Sequence, residues 1–152
     1  MIKRILLFLV LNFSALAIGG LFTGKGVPSD WYQNLNQAPW TPPGWMFGVA
    51  WTFIMICFAV YMTYLVSTKV NIKKVILLYL IQWVLNVAWN PLFFHYQAVL
   101  VALINISLLT TLVAFFLFNH KRELETRSLL IAPYFIWLLI ATSLNAYILI
   151  YN

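Results

Sequence analysis

The side chains in this sequence equipped for chemistry are amides and indoles, set at helical spacing in apolar surroundings. Gln82, Asn86, Trp89, Asn90 and Phe93 fall at i, i+4, i+7, i+8 and i+11, one stripe of a helix. Tyr134, Trp137, Ala141, Leu144, Asn145 and Ile148 make a second stripe of the same kind. An unpaired amide in hydrocarbon is costly, so each must face another helix or a ligand. Two amides and an indole on successive turns suit a concave apolar pocket with a few orienting polar groups, which is the reading for Asn86, Trp89 and Asn90. Asn12, Asn105 and Asn145 read instead as packing contacts, worth about 0.6–2 kcal/mol each across helices. Pro91, with no N–H, breaks the local ladder beside the first stripe and exposes a carbonyl.

Other chemistry is poorly provided for. Acid–base catalysis needs a base held near a nucleophile or a second carboxylate, and the candidates are Asp30, Glu123, Glu125, His95 and His120. Glu123, Glu125 and His120 share one charged connection, and His95 stands alone at a helix end, where a haem axial role has only that single residue to support it. The sequence shows no metal-ligand cluster, phosphate loop or dinucleotide fingerprint. Nor does any apolar run carry the carboxylate or base that proton pumping and ion conduction leave behind. The balance favours a binder of a large, apolar, aromatic ligand.

The elements that position these stripes follow from composition. Of 152 residues, 64% are hydrophobic and 8% charged, and the mean hydropathy is +0.92. Soluble domains carry about a quarter of their residues as charges, so lipid must be the solvent here. Five apolar runs are long enough to span: Ile5 to Phe22, Met46 to Val66, Val75 to Phe94, Ala98 to Phe118 and Leu129 to Tyr151. Uninterrupted stretches such as Val75 to Ile81 lack the alternation of barrel strands, so the expected fold is all-α, a five-transmembrane-helix bundle in one domain covering residues 1–152. The net charge of +6 sits in short gaps rather than on one basic face, which argues against nucleic acid. Lys3, Arg4, Lys69, Lys73, Lys74, Lys121, Arg122 and Arg127 collect on one side and only Lys25 on the other, predicting a cytoplasmic N-terminus and an outside C-terminus. Lys3-Arg4, an apolar stretch and Ala15-Leu16-Ala17 also match a cleaved signal peptide, but the run continues to Phe22 and retention is expected. The single Cys57 excludes an internal disulfide. No repeat is visible, and Ala15 with Gly19 makes a small-residue step that points faintly to a homodimer.

One connection, residues 23–45, is long. It is too aromatic for a solvated linker, and its Trp31, Tyr32, Leu35 and Trp40 need cover. The aromatics there suit either an interfacial belt or a lid over the bundle mouth, and their confinement to one side favours the lid. Thr41-Pro42-Pro43 reads as a helix entrance, with the hydroxyl capping free amides.

Taken together, Trp31-Tyr32, Pro39-Trp-Thr-Pro-Pro-Gly44, Trp51, Asn86, Trp89-Asn90-Pro91 through Phe94, Pro133-Tyr134, Trp137, Ala141-Thr142 and Leu144-Asn145 resemble the TspO/MBR family of tryptophan-rich sensory proteins, whose animal members are the translocator protein or peripheral benzodiazepine receptor. The resemblance covers nearly the whole chain. It implies a pocket opening on the loop side that binds porphyrins, protoporphyrin IX and haem among them, and benzodiazepine-site drugs, with links to tetrapyrrole and stress regulation. The family's pocket maps onto Tyr32, Pro42, Trp51, Asn86, Trp89, Asn90, Trp137, Ala141 and Leu144. Trp51 and Asn86 would donate to a ligand carbonyl. Some bacterial relatives degrade protoporphyrin in light, and for that alternative the resemblance makes Trp51 and Trp137 the photochemical candidates. No cofactor is required, porphyrin or haem being the ligand; the other partner is the lipid bilayer, in a bacterium the cell membrane. The family's sterol pattern ends in a basic residue, and none follows Tyr147 or Tyr151, although Val60, Tyr64 and Lys69 fit its generic form. The expected function is therefore a membrane receptor, sensor or carrier. A light-dependent enzyme is the alternative and a structural component without a ligand the third reading.

Overall fold

The computed structural model describes residues 1–152 and is all-helical. Its five long helices are α1 (Ile2–Gly26), α2 (Gly44–Leu65), α3 (Ile72–Asn90), α4 (Val99–Asn119) and α5 (Ala132–Tyr151). Counting the turns that prolong α3 to His95 and precede α5 from Lys121, all five are long and apolar enough to cross a membrane. Burial runs opposite to that of a water-soluble bundle. Leu6, Val10, Phe53, Leu77, Val84, Leu100 and Leu108 are exposed, while Asn12, Gln82, Asn86, Asn105 and Asn145 are buried. Lipid is as apolar as leucine, so close packing and interhelical hydrogen bonds must hold the helices together.

The amides supply those bonds. Asn12 Nδ2 on α1 donates to Met55 O at 3.0 Å, and Tyr79 Oη on α3 donates to Asn12 Oδ1 at 2.7 Å. Asn105 Nδ2 on α4 donates to Leu85 O at 2.8 Å. In space α1 lies against α2 and α3, α3 against α4, and α4 against α5; α2 and α5 meet more sparsely and close the ring. Ala15 and Gly19 are used within this ring: both are buried, and a Cβ at Gly19 would collide with the Asn90 amide. The small-residue step thus brings α1 close to α3 and does not present an exposed dimer face.

Helix boundaries reflect local chemistry. Asn71 starts α3 by accepting from Lys74 N at 3.2 Å. α1 continues past Phe22 to Gly26, where the Thr23 hydroxyl anchors it to α3 through Asn90 Oδ1 at 2.8 Å. Thr41 does not cap α2; Pro43 occupies the cap position in extended conformation without a side-chain bond, leaving Thr41 two residues outside it. Pro91 does not end α3 abruptly. The chain widens into a π turn, Pro91–His95, with Tyr96 N donating to Pro91 O at 3.0 Å. Gln97, at φ 52°, then reverses the chain into α4.

Candidate functional site

The long connection forms a strap between two helix ends. Its one-turn helix, Asp30–Gln33, is capped by Ser29 Oγ, which accepts from Tyr32 N at 3.3 Å. That turn carries Trp31 and Tyr32 onto the end of α3, with ring centroids 5.5 and 6.3 Å from Phe93, and Tyr32 lies 5.5 Å from Phe94. Burial there raises the Tyr32 phenol above its ordinary pKa. Further along, Asn36 N donates to Asn152 Oδ1 at 2.8 Å, and Trp40 Nε1 donates to Ser143 Oγ at 3.1 Å while its ring meets Tyr147 edge-on at 5.4 Å. Trp31, Tyr32 and Trp40 are thereby committed to neighbours. Trp45, 68% exposed at the start of α2, has the position of an interfacial belt residue.

Beneath the strap the two stripes face one another. Gln82 Nε2 donates to Tyr134 Oη at 2.7 Å, and Trp89 Nε1 donates to Asn145 Oδ1 at 3.0 Å. Asn145 Nδ2 in turn donates to Val99 O at 3.0 Å. Trp89 also stacks on Phe93 at 5.0 Å, so both its polar and apolar surfaces are engaged. Asn90 turns toward α1, where it meets Thr23 and Gly19. Asn86 is buried; its backbone carbonyl accepts from Asn90 Nδ2 at 3.4 Å, and its side-chain amide bonds no other residue. Pro42, Trp51, Ala141 and Leu144 are half-buried. Trp51 lies edge-on to Tyr134 at 5.8 Å, within the same cluster as Gln82.

Between α2 and α5 lies an apolar hollow of about 300 Å³, open on its outer side where Phe53 and Ile136 are exposed, and lined by these two with Ala50, Ile54, Pro133 and Trp137. Trp137 is the residue from the family mapping that forms part of its wall. The indole is 8% exposed and edge-on to Phe47 at 5.4 Å, yet its Nε1–H has no acceptor. The other buried polar atom without a partner is Gln82 Oε1, whose amide nitrogen holds Tyr134. Such orphaned groups are uncommon, because each forfeits its hydration on burial. His95 lies apart from this wall, exposed and ringed by Phe22 and Tyr96. Tyr64, of the generic sterol pattern, sits beneath the Arg127 guanidinium at 4.5 Å.

The α2 wall, Ala50, Phe53 and Ile54, went unmarked in the sequence because α2 carries no polar stripe to set its inward direction. Pro133 stands beside Tyr134 in the sequence motif, but a wall-forming role has no signature in residue type. The chain matches the TspO/MBR family over residues 6–151. It is 33% identical to the tryptophan-rich protein TspO of Chlorobaculum tepidum, covering 88% of this chain and 86% of that one. To the tryptophan-rich protein TspO of Archaeoglobus fulgidus it is 31% identical over 100% of this chain and 96% of the relative. The human translocator protein is 30% identical over 84% of this chain and 78% of its own length. An integral multi-pass membrane protein with this arrangement of aromatics and amides, the chain belongs to the TspO/MBR family.

Proposed function

We propose that the loop-side half of the bundle binds a flat, apolar, aromatic guest, a porphyrin such as protoporphyrin IX or haem, and that the protein acts as a membrane receptor, sensor or carrier for it. The observation that carries this reading is the Trp137 indole, a buried donor without an acceptor in the wall of an apolar cavity. Leaving such a donor unsatisfied costs about 1–3 kcal/mol, which a guest bearing a carbonyl or carboxylate recovers once the wall moves enough to uncover the N–H, since that atom has no surface open to the cavity. Asn86 on α3 and Trp51 on α2 stand outside that wall, Trp51 edge-on to Tyr134. The cavity is at the lower end of the roughly 300–1,000 Å³ of drug-sized pockets. A whole macrocycle therefore requires α2 and α5 to part, and these are the neighbours that meet most sparsely. Smaller benzodiazepine-site compounds need less movement. The histidines lie outside the cavity wall, so a haem would be held by ring contacts and its carboxylates rather than by an axial imidazole. The concentration of Lys and Arg at the end away from the strap supports a cytoplasmic N-terminus in the cell membrane.

A second reading, light-dependent consumption of protoporphyrin, is favoured by the aromatic contacts of its two candidate indoles, Trp51 edge-on to Tyr134 and Trp137 edge-on to Phe47. A dark titration of detergent-purified protein with protoporphyrin IX, followed by tryptophan quenching and then by illumination, tests both. Trp137→Phe should weaken dark binding about 5- to 100-fold; unchanged affinity removes the cavity from the account. Loss of the porphyrin spectrum in light, with Trp51 present and not with Trp51→Phe, would favour the enzyme over the carrier.

A further inference from the structure

We propose a second site at the basic end of the bundle, independent of the loop-side pocket: a receptor for a phosphodiester bearing a hydroxylated alcohol, supplied by the headgroup of an anionic lipid. A cavity of about 220 Å³ lies where the α2–α3 connection and the start of α3 meet the end of α4, and its polar walls include Lys69, Asn71, Lys74, Asn119, His120 and Glu123. Lys74 Nζ sits 5.7 Å from the Phe115 centroid, and the His120 ring meets the same phenyl group edge-on at 5.9 Å. One aromatic side chain thus holds a cation and an imidazole beside each other on the cavity wall.

His120 is the most informative member. It is 6% exposed, stacked on Phe116, with Nδ1 3.4 Å from Phe116 O. With Nδ1–H donated to that carbonyl, Nε2 is an acceptor, and it bonds no other residue. An unbonded acceptor that keeps some accessible surface, together with the exposed Glu123 carboxylate on the same lining as two ammonium groups, does not suit a bare anion. They suit an anion with hydroxyls attached: the phosphate oxygens on Lys69 and Lys74, the headgroup hydroxyls donating to His120 Nε2 and Glu123. The position favours a lipid source, because basic pockets between membrane helices at the positively charged face take anionic headgroups.

The test titrates detergent-purified, full-length protein with phosphatidylglycerol, phosphatidylmethanol and phosphatidylcholine, counting bound lipid by native mass spectrometry. Phosphatidylglycerol should bind most tightly, with phosphatidylmethanol, equal in charge but lacking hydroxyls, intermediate. The Lys69→Gln/Lys74→Gln pair should weaken phosphatidylglycerol roughly fivefold for each lysine removed, while Lys121→Gln/Arg122→Gln, an equal charge loss outside the cavity wall, leaves it nearly unchanged. His120→Phe should erase the preference for phosphatidylglycerol over phosphatidylmethanol. Displacement by glycerol 3-phosphate at matching concentration would keep the site and assign it a soluble ligand instead. Equal weakening in both double variants, or wild type binding phosphatidylglycerol no better than phosphatidylcholine, overturns the proposal, and the wild-type comparison needs no variant to fold.

Discussion

Near the charged connections, Phe58, Ala59, Tyr61, Met62, Leu65, Val113 and Phe116 have no exposed surface, and Phe58 alone touches the rings of Tyr61, Tyr79, Phe116 and Tyr134. Tyr61 Oη closes this region by donating to Phe116 O at 2.6 Å. Toward the strap, the same helices present Ala50, Trp51, Ala141 and Leu144, all half-buried, and a buried indole without a partner. One half is a filled core and the other a shell held open by paired polar groups. The difference separates two duties within a single bundle: the filled half fixes the relative positions of the helices, and the shell can then accommodate a guest without risking the fold.

The largest expected effect breaks the filled half. Phe58→Ala should destabilise the protein by about 3–5 kcal/mol, read as a lowered unfolding midpoint in detergent, while the fraction still folded keeps its porphyrin affinity. A loss of affinity in step with stability would mean that the halves are not separable. Next comes a matched pair of insertions. Ala59→Phe, at a position with no exposed surface, should cost at least about 1–3 kcal/mol; Ala141→Phe should cost less and abolish binding by filling the shell. Thermal unfolding with parallel titration distinguishes them, and equal destabilisation would sink the contrast. Asn145→Ala removes the acceptor for Trp89 and the donor to Val99, for about 0.6–2 kcal/mol. It should also show a red-shifted, more mobile Trp89 emission. The smallest effect is set by pH. Tyr32 titrates above the ordinary tyrosine value because the strap buries it. Its contribution to strap docking is therefore complete below about pH 10 and is lost as pH rises through the higher value in the docked state. Strap fluorescence should change in that alkaline window for wild type and not for Tyr32→Phe.

How much of this was legible in the sequence depended on whether residue type or local azimuth carried the information. Apolar runs free of charge indicated five spans directly, and period 3.6 placed Gln82, Trp89, Tyr134 and Asn145 on faces that do meet. Periodicity defines a face about a third of a turn wide, which on a packed helix touches two neighbours. It could not tell that Asn90, one residue from Trp89, turns to Thr23 on α1 rather than toward α5. The strap was legible as aromatic and in need of cover, whereas its attachment through Asn36 and Asn152 joins residues 116 positions apart. Local sequence carries no trace of such a pairing. The unpartnered Trp137 N–H was equally hidden, since the absence of a partner is a property of the assembled fold.

The π turn at Pro91–His95 has a consequence for chain length. A π turn is what a helix makes of one residue too many, a bulge that absorbs an insertion without ending the helix. Deleting Leu92 would restore an ordinary helical ladder, yet the side chains inside the widened turn would lose the directions it gives them. Phe93 and Phe94, the rings on which Trp31 and Tyr32 rest, would then point away from the strap. The apparent irregularity thus acts as a phase adjuster, and a shorter, more regular version of this segment would produce a bundle whose cover no longer lands on its mouth.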